Sequence, residues 1–351
     1  MVKLLFVLRN KTASGPDYTA SAESGVGLST QFLVKELEYY GINTKSAGIT
    51  DPSELDHVIT LHNPTHVIVE TFWINPTVFD DLIEAHPFIK FIVRDHSDSC
   101  FRVYEENAFG WIVEYLKRGI EVMSNSLRSA DDIVGIADAA EIDESLVTYG
   151  PNVYPIPSVG SMRPHTHKDG IVDIGCFGAV RPMKNHITQA IAAVKFAQET
   201  GLTLNFHING YNIPGYIDPI LNNLRSLFSE FANCNLVEHG WMSHTDFLTV
   251  LDGIDICTQV SFTETFNIVA ADAMSRSVPL ITSSEVPWIG SYAHRNTTSS
   301  KDICEGFLEI WTEGHTARKN RLLWQRYDME VYSANALTVW TQRFDRRCNI
   351  F

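Results

Sequence analysis

Ser261-Phe262-Thr263-Glu264-Thr265-Phe266-Asn267-Ile268-Val269-Ala270-Ala271-Asp272-Ala273-Met274-Ser275-Arg276-Ser277-Val278-Pro279 leads from a strand end through an acidic turn and a short helix to the next strand. The apolar run Asp255–Val260 before it and Val278–Thr282 after it read as buried strands, and Phe266–Ser275 reads as the helix between them. A strand, a short turn, a helix and a second strand make the unit of a parallel sheet. Asp272 falls on the small apolar face of that helix, where a carboxylate is costly without a partner. Unsatisfied amides at a helix start favour an anion such as a diphosphate. A carboxylate can accept hydrogen bonds from two adjacent hydroxyls, so acids flanking an amide-lined turn suit the sugar and ribose of a sugar nucleotide. The plainer alternative keeps Glu264 as a helix-start acid and Asp272 as a solvated residue.

The same alternation runs outward in both directions. Toward the N-terminus of this region lie strand Ile171–Phe177, helix Ile187–Glu199, strand Thr203–Asn209, a helix within Pro219–Phe231, strand Asn235–His239 and helix His244–Leu251. Toward the C-terminus, helical segments Asp302–Trp311 and roughly Ala317–Trp340 close the chain. The first half repeats the pattern, with strand-like Lys3–Leu8, His66–Glu70, Lys90–Asp95, Ile120–Ser124 and Ser145–Tyr149 and a clear amphipathic helix over Leu28–Tyr40 that stops at Gly41. Between the halves the periodicity breaks at Pro151, Pro155, Pro157 and Pro164, the composition of a linker. The fold class is therefore α/β, with two Rossmann-like doubly wound domains, and ligands of such sheets bind beyond the carboxyl ends of the strands.

Length and composition agree. The 351 residues are enough for two domains, and 44 % hydrophobic with 20 % charged residues is the balance of a globular chain. No apolar run reaches the roughly 18 residues of a membrane span, and the first strand lacks a small-residue cleavage site, so a cytoplasmic protein of a bacterium or a phage-infected host is expected. Six scattered cysteines without a CxxC pair read as reduced, mostly buried thiols. The formal charge of −15 is unevenly placed: residues 1–158 hold 11 basic and 23 acidic side chains, whereas residues 315–351 hold seven basic and three acidic ones.

Three further segments carry candidate chemistry. Phe177-Gly178-Ala179-Val180-Arg181-Pro182-Met183-Lys184-Asn185 closes the first strand of the second domain, and Arg181 and Lys184 there could pair with phosphate as a fork and as a point charge. Ser24-Gly25-Val26-Gly27 follows the first strand; it reads either as a loop in which Gly25 and Gly27 let a ligand approach or as an ordinary glycine turn. Val93-Arg94-Asp95-His96-Ser97-Asp98 ends a strand, where His96 could bond a sugar hydroxyl or move a proton. His165 and His167 lack a third ligand nearby, so no metal site is expected. No GxxxxGK[ST] phosphate loop and no GxSxG elbow occurs.

With those residues in place, the chain resembles the retaining glycosyltransferases of GT-B fold, family four of the sequence classification. The likeness covers residues 171–290 well and the N-terminal part more loosely. Glu264 and Asp272 resemble the E-x7-E signature with Asp in place of the second Glu, Ser277-Val278-Pro279-Leu280-Ile281-Thr282-Ser283 resembles its small-x-Pro strand, and Gly240-Trp241, Leu248, Leu251 and Asp255 match the spacing upstream. Lys184 falls on the family's phosphate-binding Lys; the family's Arg would fall on Ala179, with Arg181 two residues on as a substitute. The resemblance implies a metal-independent transferase with no resident cofactor, its co-substrate a nucleotide diphospho-sugar, uridine favoured. By the same resemblance Lys184 and Arg181, with amides at Thr265, Phe266 and Asn267, would hold the diphosphate. Glu264 would contact the sugar hydroxyls, Asp272 the ribose, Gly25 and Gly27 the phosphates from the first domain, and His96 would assist near the transferred sugar. Asn125 and Ser126 echo the family's Ser-containing loop. The implied domains are 1–158 on the acceptor side, with the C-terminal helix 325–351 packing back on it, and 159–324 on the donor side. Trp324, Tyr327, Tyr332 and Trp340 would then dock the basic tail on the acidic domain.

Two alternatives stand beside it. A phage-type glycosyltransferase acting on a hydroxymethylated DNA base needs a basic groove, for which Arg94, Arg102, Lys117, Arg118, Arg128 and the tail are candidates. A bilobed ligand-binding protein without turnover would be marked by a missing acid or Lys, but Glu264 and Lys184 are both present.

Overall fold

A computed structural model describes residues 2–11, 18–21, 24–105, 107–156, 169–210 and 218–344. The linker residues 157–168, with His165 and His167, lie outside them. The chain divides into two compact units, Met1–Pro155 with Ser333–Phe351 and Ile156–Tyr332.

The first unit is built on β1 (Lys3–Arg9), β2 (Asn43–Ile49), β3 (His66–Glu70), β4 (Lys90–Asp95), β5 (Glu121–Ser124) and β6 (Val147–Tyr149). They form one six-stranded sheet in the order β2-β1-β3-β4-β5-β6, with every pair parallel. Helices α1 (Gly25–Tyr39), α2 (Leu55–His62), α3 (Val78–Ala85), α4 (Ala108–Lys117) and α5 (Leu127–Ala139) connect them. Covered on both faces, the central strands can be continuously apolar, and Leu4, Leu5, Phe6, Val7 and Leu8 are all buried. Gly25 and Gly27 lie in the first turn of α1, not in a loop ahead of it, and Ser24 caps that turn by accepting from the Gly27 amide at 3.0 Å.

The second unit holds β7 (Ile171–Ala179), β8 (Thr203–Asn209), β9 (Cys234–His239), β10 (Ile256–Gln259) and β11 (Leu280–Thr282), a parallel sheet in the order β11-β10-β7-β8-β9. Its helices are α6 (His186–Thr200), α7 (Asp218–Ser229), α8 (His244–Leu251), α9 (Ile268–Ser275) and α10 (Ser300–Thr312). Its core packs Ala190, Ala193, Phe196 and Ala197 of α6 against Ile174, Leu204, Phe206 and Ile208 of the sheet and Ile303, Phe307 and Ile310 of α10.

Helix α11 (His315–Phe344) begins in the second unit and ends in the first. Its last turns anchor through Trp340, which is 1 % exposed, donates from Nε1 to the Pro151 carbonyl at 2.8 Å and lies 5.8 Å from the Phe6 ring and 5.9 Å from Phe344. Gly150 leaves room beside it, since a Cβ there would sit 2.1 Å from Met123 Sδ and 3.2 Å from the Trp340 ring, so both side chains would have to shift. Of the four aromatics expected to dock, Trp340 is buried and Tyr332 packs on Phe266 and Trp288, whereas Trp324 and Tyr327 remain exposed. No helix among the described residues is long and apolar enough to cross a membrane.

Candidate functional site

In the second sheet the strand order reverses between β7 and β10, and the two loops leaving their carboxyl ends lie at the switch point that α/β sheets use for ligands. Those two loops carry the candidate residues. They are stitched together at the backbone: the Phe262 amide donates to the Met183 carbonyl at 2.9 Å, and Asn185 Nδ2 donates to the Val260 carbonyl at 3.0 Å. Gln189 reaches up from α6, giving a hydrogen bond to the Lys184 carbonyl at 2.9 Å and accepting one from the Val260 amide at 2.9 Å.

The result is a close ion pair. Lys184 Nζ lies 2.5 Å from Glu264 Oε1, with side chains 15 % and 8 % exposed. Asn267 Nδ2 donates to the same oxygen at 3.0 Å. Two asparagines frame the pair in the left-handed region, Asn185 at φ 57° and Asn267 at φ 64°, a conformation whose strain Asn bears better than most residues. Gly178, at φ 104°, sits in the irregular end of β7 just before this loop, and any side chain there would be strained.

The helix after the acidic turn starts later than the apolar pattern predicts, at Ile268, because Asn267 is its cap and accepts from the Ala270 amide at 3.0 Å. Thr265 and Phe266 therefore precede the helix. The Phe266 carbonyl is held by Trp288 Nε1 at 2.5 Å, and the Phe266 ring stacks on Trp288 and Tyr332 at 5.5 and 5.3 Å. Glu264 stands too early to be a first-turn acid. Asp272 is not solvated either: it is 2 % exposed, and its Oδ1 is 2.7 Å from His244 Nε2. No pattern in the sequence marks His244, which merely opens α8 behind its cap Ser243.

Arg181 adopts an extended conformation at the start of the turn Pro182–Lys184, with its carbonyl accepting from the Lys184 amide at 3.0 Å. The turn thus brings Lys184 onto Glu264. Cys176 and Cys257 lie beneath on β7 and β10, fully buried, and burial pushes both thiols far above the usual range, which removes them as nucleophiles.

In the first unit His96 follows β4 and meets Glu70 at the end of β3, Nε2 to Oε2 at 2.5 Å, while Asn125 Nδ2 donates to His96 Nδ1 at 3.4 Å. Glu70, unmarked by the sequence, also accepts from Thr30 Oγ1 at 3.0 Å and Arg94 at 3.1 Å. Burial raises the Glu70 carboxyl, but Arg94 and His96 outweigh it and hold the group below the usual carboxylate range. Thr71, next in the chain, is at φ 67°, strained for a β-branched residue.

The five cations offered for a nucleic-acid groove are all engaged. Arg94 pairs with Glu70, Arg102 with Asp95, Arg128 with Asp98, Lys117 with Glu114, and Arg118 with Asp80 and Glu114. In the tail, Arg321 pairs with Glu313, Arg326 with Glu330 and Arg343 with Glu121. No cluster of three or more His, Cys, Asp or Glu suited to a metal occurs among the described residues.

No family model matches the chain, and no curated protein is similar to it in sequence. Solved structures are similar over nearly the whole length. The UDP-forming α,α-trehalose-phosphate synthase of Burkholderia xenovorans has 9 % identity and a TM-score of 0.70, covering 98 % of both chains. Sucrose-phosphate synthase of Thermosynechococcus elongatus has 12 % identity and a TM-score of 0.67, covering 97 % of this chain and 98 % of its own. Anabaena HepE, solved with UDP-glucose, has 12 % identity and a TM-score of 0.64, covering 98 % and 96 %. The fold is GT-B. In this GT-B chain, the Lys184–Glu264 pair and the His244–Asp272 pair both belong to the second unit, the one with the strand-order reversal at β7 and β10.

Proposed function

We propose that the protein is a retaining glycosyltransferase that moves a sugar from a nucleoside diphospho-sugar, with uridine the favoured nucleoside, to an acceptor hydroxyl without a metal ion. The observation that carries this reading is the Lys184–Glu264 pair at the switch point of a GT-B second unit. Lys184 offers a cation for the departing diphosphate, supported by Arg181 and by the amides of Thr265, Phe266 and Asn267. Glu264, held by Asn267, offers two oxygens to the hydroxyls of the transferred sugar. Negative charge grows on the leaving diphosphate during transfer, so fixed donors at that point lower the barrier most. Asp272 belongs to the ribose end. Within the first unit, the helix start at Gly25 and Gly27 has a dipole that favours anions, and His96, held by Glu70, would be the group to assist an acceptor's proton. The neighbours named for trehalose-phosphate and sucrose-phosphate synthesis support sugar transfer and leave the acceptor of this chain to experiment.

A thermal-shift screen of nucleoside diphospho-sugars tests the donor: at least one stabilises the wild type and none stabilises Lys184→Ala. Transfer in Lys184→Ala and Glu264→Gln falls by at least about a hundredfold, with circular dichroism unchanged. Turnover at the wild-type rate in either variant rejects the assignment, and activity lost to EDTA rejects metal independence.

A further inference from the structure

The second acid of this site stands behind a histidine. Asp272 is buried inside α9, its side chain 3 % exposed, whereas the His244 ring bonded to it at 2.7 Å is 24 % exposed. His244 is the first residue of α8, the helix that follows β9. A helix following a parallel strand opens at that strand's carboxyl end, so His244 stands at the same edge of the sheet as Lys184 and Glu264.

We infer that His244 is the specificity-determining contact for the ribose of the donor nucleotide, and that Asp272 is a positioning residue behind it. The inference rests on the nucleotide-sugar reading above and replaces a direct Asp272–ribose contact with one made through the ring. The chemistry follows from reach and accessibility. Asp272 is one methylene shorter than a glutamate and is covered by protein, so an incoming hydroxyl meets the imidazole first. The Asp272 carboxylate accepts from Nε2, which fixes the tautomer and the plane of the ring before a ligand arrives. A site built to bond a hydroxyl discriminates sharply against an analogue that lacks it, because its polar group is then buried without a partner.

The test is calorimetric titration of the full chain with uridine diphosphate, with its 2′,3′-dideoxy analogue and with inorganic pyrophosphate. Wild type is expected to bind uridine diphosphate about tenfold more tightly than the dideoxy analogue, as one hydrogen bond of this kind supplies. His244→Ala is expected to bind both nucleotides equally, at the affinity of the dideoxy analogue, while its pyrophosphate affinity stays at the wild-type value. Asp272→Asn, which leaves the ring in place but loosens it, is expected to show an intermediate ratio. Melting scans check the folding of each variant; should His244→Ala not fold, His244→Gln, which can still donate to Asp272, takes its place with the same expected loss of discrimination. A wild-type ratio near one, or a ratio unchanged in the variant, overturns the role of His244 alone. Failure of wild type to bind both uridine diphosphate and pyrophosphate overturns the donor reading and this inference together.

Discussion

His186 is 2 % exposed at the start of α6, and neither ring nitrogen has a hydrogen-bond partner among the described residues. Burial, reinforced by Lys184 and Arg181, lowers its pKa from 6.5 to about 3. Between those values the unfolded chain binds a proton that the folded chain refuses, so stability rises with pH through this window and is lost as pH falls below about 6.5. His66, lowered to about 4 by burial and by Lys90 and Arg343, adds a loss of the same sign. Replacing His186 with Leu should therefore stabilise the protein more at pH 5 than at pH 8, by about 2 kcal/mol, in urea titrations at the two pH values. Equal gains at both would show that the imidazole is not held neutral. At this scale the sequence revealed Lys184 and Glu264 because their loops follow apolar strands, where chemistry-bearing residues stand out. It did not reveal Glu70, His244 or His186: each lies inside an ordinary strand or helix segment, and only the tertiary packing supplies the partner, or withholds it.

Elements were legible wherever the apolar period was strong. Every strand read from the sequence is present within a few residues, but Asn43–Ile49 escaped notice because, as an edge strand, its exposed positions carry Asn43 and Lys45 and break the apolar run. The apolar pattern starts helix α9 two residues early because Phe266 is apolar, yet its ring packs on Trp288 and Tyr332 ahead of the helix. Helix α11 poses the opposite problem. Its aromatic spacing is plain, but spacing alone does not separate the buried Trp340 from the exposed Trp324 and Tyr327. Trp340 fills a site shaped by Phe6, Phe344 and Gly150, with Arg94 over its ring at 5.3 Å. Trp340→Ala should cost about 3–5 kcal/mol and Trp340→Phe clearly less, measured by denaturant unfolding; a loss below 1 kcal/mol would mean that the end of α11 is not a structural part of the first unit.

At the scale of the whole molecule the charge of −15 and its basic tail were visible at once, but where the cations point was not. Of the tail's seven cations, Arg321, Arg326 and Arg343 stand in ion pairs and Arg346 and Arg347 lie outside the described residues; the five cations of the first unit are paired as well. Cations already neutralised by carboxylates release few counterions from a polyanion, so duplex DNA should not bind appreciably even at about 50 mM salt, and no steep salt dependence should appear. Fluorescence anisotropy with a labelled duplex decides this, and tight, salt-sensitive binding would restore a DNA acceptor. The path of α11 has a further consequence, for the order of events on the ribosome. The first unit is interrupted in sequence: Trp340 completes a core begun at Phe6, with the entire second unit synthesised in between. At about 5–20 residues per second, that gap keeps the sheet of the first unit waiting on the order of 10–40 s for its last side chains. During that interval Phe6 and Arg94 lack the ring that covers them, so the nascent chain, more than the finished protein, is where chaperones and proteases meet it.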